Sequence, residues 1–295
     1  MISLPKNVDP IALLCNLREL SWNVSDVLQS YNNDLISQEE FTKKLDVKNL
    51  SKGLVTIADL EVSNLIKEKL RDLYPNIGWE FLSEEDENKR DKNIKNQWVW
   101  IIDPLDGTND FVNRTGEFAT HIALYFKKEI ILGIVLIPSD EKLWIYFEGI
   151  GTWCEDRNAQ KVTNFKREFM SFNEITILTS KSHTHPQLQS LIKSLNPKRI
   201  VGMGSVGYKV ASILKGYGDL YISFSLPNSS CPKDWDMAAP SSIIRGAGGH
   251  FTDVHGSNIE FLKNDNYEQG GIILSSMNKN HQGLCKEILE NLKNI

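Results

Sequence analysis

Trp100-Ile101-Ile102-Asp103-Pro104-Leu105-Asp106-Gly107-Thr108-Asn109-Asp110-Phe111 joins an apolar run to the start of a helix through two aspartates. Val99 to Ile102 is a short continuous apolar segment, the pattern of a buried strand. It ends on Asp103, and Pro104 biases that residue towards an extended backbone while stiffening the turn. Asp106 follows three residues later, so the two carboxylates can sit on either side of one hard cation, which takes oxygen ligands. Gly107 lets the backbone turn closely, and Thr108 can begin a helix through Asn109–Val112. The free N–H groups and positive end of a helix start favour an anion. Cation ligands and phosphate donors therefore fall within one turn.

Further acids occupy similar places on either side. Upstream, Asp59 of Val55-Thr56-Ile57-Ala58-Asp59 is expected as the N-cap of a helix through Leu60, Ile66, Leu70 and Leu73. Trp79 to Leu82 reads as a strand ending on Ser83-Glu84-Glu85-Asp86, and Asp86 to Gln97 as a solvated loop. Downstream, Asp236 precedes a helix over Met237–Arg245. Asp59, Glu84, Asp103, Asp106 and Asp236 thus each stand where a strand stops or a helix starts. Such positions converge on the cleft where open α/β sheets bind ligands. Singly, each acid has a plainer reading. Asp59 and Asp236 serve equally as helix caps, worth about 1 kcal/mol, and Glu84 to Asp86 as a solvated turn. The ordered set favours a metal site.

The remainder of the chain sorts into two halves. Ile11, Leu14, Leu17, Leu20, Val24 and Leu28 recur at helical spacing and predict a helix over 10–31, followed by a polar stretch over 43–53. Strands are expected at His121–Phe126, Ile130–Ile137 and Leu143–Glu148, with Gly149 and Gly151 at a turn. Beyond about residue 170, strands and helices alternate: Ile175–Leu178, Pro186–Ser194, Ile200–Val201, Val206–Lys215, Leu220–Phe224, Met237–Arg245, Gly271–Leu274 and Gln282–Leu292. This predicts an N-terminal α+β domain over 1–170 carrying most metal ligands, and a C-terminal α/β domain over 171–295 carrying Asp236. The composition is ordinary for a globular chain of 295 residues, with 41% hydrophobic and 24% charged. A formal charge of −5 speaks against a nucleic-acid partner, which needs a basic footprint. Cys15, Cys154, Cys231 and Cys285 form no close pair, as suits a reducing cytosol. The start MISLPKNVDP lacks a signal-peptide pattern, and no apolar run reaches membrane-spanning length. A cytoplasmic protein with no membrane partner is expected.

The run Asp103–Phe111 resembles the D-P-[IL]-D-G-T-x-x-F signature of the inositol-monophosphatase-like superfamily. Val55-Thr56-Ile57-Ala58-Asp59 is similar to its V-T-x-x-D element, Ser83-Glu84-Glu85 to its S-E-E, and Trp235-Asp236-Met237-Ala238-Ala239 to its W-D-x-A-A. Four elements in order extend the resemblance from about residue 10 to about 275. Within the superfamily, three stretches resemble the 3′(2′),5′-bisphosphate nucleotidase branch. They are Arg114-Thr115-Gly116-Glu117-Phe118 followed by His121-Ile122-Ala123-Leu124, Ser180-Lys181-Ser182-His183, and Gly204-Ser205 ahead of Lys209. One departure is that Ser205 lies four residues before Lys209, where some nucleotidases have three.

The resemblance implies a layered αβαβα sandwich with the site between its halves. It implies one Mg²⁺ held by Glu84, Asp103 and the carbonyl oxygen of Leu105, and a second held by Asp103, Asp106 and Asp236; a third near Asp59 and Glu84 stays open. Thr108, paired with Asp59, would orient or deprotonate the attacking water, and Gly107 and Thr108 N–H groups would receive the phosphate oxygens. Substrate contacts are expected from His183, Ser205, Lys209 and Asp236. The implied reaction is hydrolysis of 3′-phosphoadenosine 5′-phosphate, a by-product of sulfate assimilation, by a Li⁺-sensitive monomer or homodimer. Inositol phosphates and fructose bisphosphate are alternative substrates, and a catalytically silent nucleotide-binding regulator is the alternative outside enzymes.

One further pattern points elsewhere. Gly202-Met203-Gly204-Ser205-Val206-Gly207 satisfies G-x-G-x-x-G between a strand and a helix, as in dinucleotide-binding oxidoreductases. That fingerprint also wants an acid after the next strand. Asp219 precedes Leu220–Phe224, and Ser225 stands at its far end. An EF-hand over Asp103–Asp110 fails on the oxygen positions that loop requires.

Overall fold

A computed structural model describes residues 4–32, 37–50, 53–89, 97–165, 171–181, 185–226, 231–263 and 267–293. Helix α1 (Pro10–Asn32) buries Leu13, Leu17, Leu20, Val24 and Leu28. The capping box Ser37/Glu40 starts α2 (Gln38–Lys44), and a small hairpin follows, β1 (Lys48–Leu50) and β2 (Gly53–Val55). The polar stretch 43–53 therefore holds elements too short to leave a periodic signal. α3 (Ile57–Leu73) is capped by Thr56 rather than Asp59. Asp59 is the third helical residue and closes a capping box by accepting the Thr56 N–H at 2.7 Å.

β3 (Glu80–Ser83) runs into a 3-10 helix over Glu84–Lys89, which takes up the start of the solvated loop expected over 86–97. Next come β4 (Trp98–Asp106), α4 (Thr108–Val112), β5 (Ala119–Phe126), β6 (Glu129–Ile137), β7 (Lys142–Phe147), β8 (Gly151–Glu155) and β9 (Lys161–Val162). β8 begins on Gly151, expected only as a turn residue. The second half contains β10 (Thr176–Ser180), α5 (Pro186–Leu195), β11 (Arg199–Met203), α6 (Val206–Lys215), β12 (Leu220–Ser225), α7 (Asp234–Gly246), β13 (His250–Asp253), β14 (Gly271–Ser276) and α8 (His281–Leu292).

Strands β3 to β9 form one sheet in sequence order, with β3 and β4 parallel and the rest antiparallel. The other sheet has the order β11-β10-β12-β14-β13. The period-two alternation of strand side chains explains how the layers stack. Trp100 and Ile102 pack with α1 and α3 on the outer face of the first sheet, while Val99 and Ile101 face α6 and α7. In the second sheet Leu178, Tyr221 and Ile273 meet that same pair of helices. Their neighbours Ile177, Ile222 and Leu274 face α5 and α8. The result is the expected αβαβα sandwich, in which α6 and α7 serve both sheets. Among the described residues, no helix is long and apolar enough to cross a membrane.

Candidate active site

The site begins with an irregularity at the end of β4. Asp103 pairs with His121 of β5 and Asp106 with Ala119, so β4 carries one more residue than its partner between these points. Such a bulge bends a strand and re-aims its side chains. Thr120 Oγ1 donates to the Pro104 carbonyl at 2.8 Å and pins the bulge. Asp103 is 1% exposed; its Oδ1 accepts the Leu105 N–H at 3.0 Å, and its Oδ2 is buried with no hydrogen-bond donor. Gly107 has φ +90°, a conformation open to glycine, and a Cβ there would lie 3.0 Å from the Glu117 carbonyl oxygen. This turn starts α4 on Thr108, whose Oγ1 lies 3.1 Å from the Leu105 carbonyl oxygen and 3.4 Å from Asp59 Oδ1. Asp59 is held from its other oxygen by Thr56 Oγ1 at 2.6 Å.

Glu84 follows β3, and the parallel pairing of Ser83 with Ile102 sets it alongside Asp103. Asp236 is the third residue of α7 and accepts the Lys233 N–H, the same capping place that Asp59 occupies in α3. Capping-box partner and candidate site carboxylate are therefore the same side chain at both positions. Burial, then mutual repulsion with Asp236 and Asp59, lifts the Glu84 carboxyl well above the usual carboxylate range. Burial, then repulsion from Glu84, Asp106 and Asp236, does the same to Asp103. Burial first and Asp106 second push Asp236 up to about 7, and burial raises Asp59 to about 6. A cluster of carboxylates that resist joint ionisation, with one buried oxygen lacking any donor, is matched to divalent cations.

Asp106 faces both halves of the fold. Its Oδ2 accepts from Ser205 Oγ at 2.6 Å and from the Val206 and Gly207 N–H groups at the start of α6. His121, fully buried, sets Nε2 3.3 Å from the same oxygen and Nδ1 3.4 Å from the Trp235 carbonyl oxygen. Asp103, Asp106 and His121 offer donor atoms within 4.8 Å of one another. His121 enters the sequence reading only as part of the His121–Leu124 stretch, with no role of its own, because a histidine amid β-strand apolar residues carries no signal of what lies across from it.

The expected substrate residues fall into three situations. Ser205 is the N-cap of α6 and is 2% exposed, accepting from the Tyr208 N–H while donating to Asp106. Lys209 is 3% exposed; its Nζ donates to the carbonyl oxygens of Gly204 and Met203 and lies 5.4 Å from the centre of the Tyr221 ring. Burial lowers its pKa to about 8. A contact with substrate from Lys209 requires those carbonyl bonds to be exchanged. His183 lies outside the described residues. The G-x-G-x-x-G glycines are explained by packing: added Cβ atoms would meet Lys181 at Gly202, Glu117 and Asp110 at Gly204, and His121 at Gly207.

The Inositol monophosphatase family model matches residues 12–293. A 3'(2'),5'-bisphosphate nucleotidase CysQ of Salmonella typhimurium is 30% identical over 254 residues, covering 86% of this chain and 95% of its own. The inositol-1-monophosphatase of Bacillus subtilis is 26% identical over 222 residues, 75% of this chain and 80% of its own. The crystal structure of the extragenic suppressor protein suhB from Bartonella henselae shares the fold, with a TM-score of 0.73, 22% identity and coverage of 96% and 98% of the two chains. Acid cluster and likeness together define a phosphatase of small phosphorylated molecules. The chain belongs to the inositol monophosphatase family, whose members work with Mg²⁺.

Proposed function

We propose that this phosphatase hydrolyses 3′-phosphoadenosine 5′-phosphate to AMP and inorganic phosphate at a site holding two Mg²⁺ ions. The observation that carries the nucleotide reading is a convergence. The three stretches resembling the bisphosphate nucleotidase branch meet beside the catalytic turn, where Glu117 contacts both Lys181 and Gly204. The similarity to proteins named bisphosphate nucleotidase over most of the chain supports it.

Glu84, Asp103 and the Leu105 carbonyl would hold one cation, and Asp103, Asp106 and Asp236 the other. When bound, the pair lowers the pKa of a water and stabilises the leaving oxygen of an in-line displacement. Thr108 Oγ1, lying between the Leu105 carbonyl oxygen and Asp59 Oδ1, orients that water and passes its proton towards Asp59. A carboxyl raised to about 6 by burial accepts a proton near neutrality more readily than an ordinary aspartate. The first 170 residues supply this chemistry, and the remainder supplies Asp236 and the substrate-binding surface. Release of phosphate from 3′-phosphoadenosine 5′-phosphate and from myo-inositol 1-phosphate, compared in Mg²⁺, tests the proposal. The nucleotide should have the higher kcat/KM. A preference for the inositol ester would overturn it in favour of the second reading, which the Bacillus subtilis relative supports.

A further inference from the structure

Beside the cleft, an ion cluster ties the two sheets together through residues to which the chemistry above gives no role. Lys181, just past β10, places Nζ 2.7 Å from Glu117 Oε2 and 3.1 Å from Asp110 Oδ1. Glu117 Oε2 also accepts the Gly204 N–H at 2.8 Å, and the Glu117 carbonyl accepts the Ser205 N–H at 3.1 Å. One residue thus holds two consecutive N–H groups of the turn before α6, one with its side chain and one with its backbone. That same turn delivers Ser205 Oγ and the Val206 N–H to Asp106 Oδ2. The packing has no slack, since a Cβ on Gly204 would come within 2.2 Å of the Glu117 carbonyl oxygen.

We propose that Glu117, itself oriented by Lys181, is a positioning residue for Asp106. By fixing the 204–206 turn it directs the Ser205 hydroxyl and the Val206 N–H onto Oδ2 and so sets the orientation of the carboxylate. A carboxylate held from one side presents its other oxygen in a defined direction; one released can rotate. The Glu117–Lys181 pair is partly exposed, with side chains 23% and 36% accessible, so water screens it and its own contribution to stability is small. Its effect is therefore on geometry rather than on folding. Loss of a group that orients a metal ligand typically weakens binding about 10–100-fold. That role rests on the proposed function, in which Asp106 holds a cation.

The test is calorimetric titration of the full chain with Mn²⁺ alone and Mg²⁺ alone, alongside thermal melts of the metal-free proteins. Glu117→Ala should lose about 10–100-fold in affinity at one site while still melting cooperatively. Glu117→Gln keeps an oxygen for the Gly204 N–H and should recover most of that loss. Lys181→Met should fall between them. A folded Glu117→Ala protein with wild-type affinity and stoichiometry overturns the role. Should Glu117→Ala fail to fold, Lys181→Met decides: wild-type affinity overturns the role, and a several-fold loss with a cooperative melt supports it. If the unmutated protein binds neither metal, the cation site itself is wrong, and that result is distinct from a failure of Glu117 alone.

Discussion

Ser205 Oγ stands 2.6 Å from Asp106 Oδ2 and 3.1 Å from the Tyr208 nitrogen, so one hydroxyl caps a helix of the middle layer and holds a carboxylate of the first sheet. The cap and the carboxylate can be separated by mutation. Ser205→Ala should cost about 1 kcal/mol as a lost N-cap. It should also weaken binding of a divalent cation about tenfold or more, because Asp106 loses its shortest side-chain donor. Ser205→Thr should retain both. Urea denaturation of the metal-free proteins and Mn²⁺ titration read the two effects apart; a change in stability alone would reduce Ser205 to a cap.

Thr108→Ala removes a hydroxyl but no carboxylate. Steady-state kinetics should show kcat lower by about a hundredfold, with the Mg²⁺ concentration for half-maximal rate nearly unchanged. A large loss of Mg²⁺ affinity instead would move Thr108 from water activation to metal binding.

Lys209 offers a test of recognition against support. Its ammonium is spent on two carbonyls of the turn that holds Asp106. Lys209→Met should therefore lower activity on a bisphosphate and on a minimal phosphomonoester alike. A selective rise in KM for the bisphosphate would instead place the lysine on the substrate's second phosphate. Stability adds a second reading. Burial lowers the folded-state pKa from 10.5 to about 8, so between these values the unfolded chain binds more protons. Stability from this group is full above 10.5 and is lost as pH falls through about 8. Wild type should gain on Lys209→Met between pH 7.5 and pH 9.5 in urea melts.

The acid cluster makes the opposite prediction at lower pH. Asp59 and Asp236 have folded-state pKa values raised to about 6 and about 7, from 3.8. Folded protein thus binds more protons than unfolded between about 4 and 7. Stability linked to these carboxyls is full below 4 and lost as pH rises through 7. Metal-free protein should melt higher at pH 5.5 than at pH 7.5, by several degrees. Saturating Mg²⁺ should abolish or reverse that trend, because the cation replaces the protons. Chelation should restore it and remove activity. Indifference of the melting profile to Mg²⁺ would contradict a metal site among these acids.

Much of this was legible in the chain because it is written in local chemistry. The Asp103–Thr108 turn needs only a proline, a glycine and two acids at fixed spacing, and all sit within one bulge and one helix start. The helix over Val206–Lys215 has the bounds its apolar spacing predicts, and Gly216 closes it in the left-handed conformation. Boundaries slipped where two residues compete for one job: Thr56 and Asp59 are both capping types, and which one caps depends on backbone geometry at Thr56.

What the sequence by itself determined is the inventory of acids, the layered α/β rhythm and the turn that gathers Asp103 and Asp106. Only the tertiary structure decided which groups meet across the layers. Asp106 and Ser205 are 99 residues apart, and Glu117 and Gly204 are 87 apart. Hydrophobic periodicity says which face of a strand or helix is buried, but not which distant side chain will lie opposite it. That is why Lys209, a surface charge by default, ends under a turn. It is also why His121 ends against a carboxylate, and why three close-packed glycines imitate a dinucleotide fingerprint.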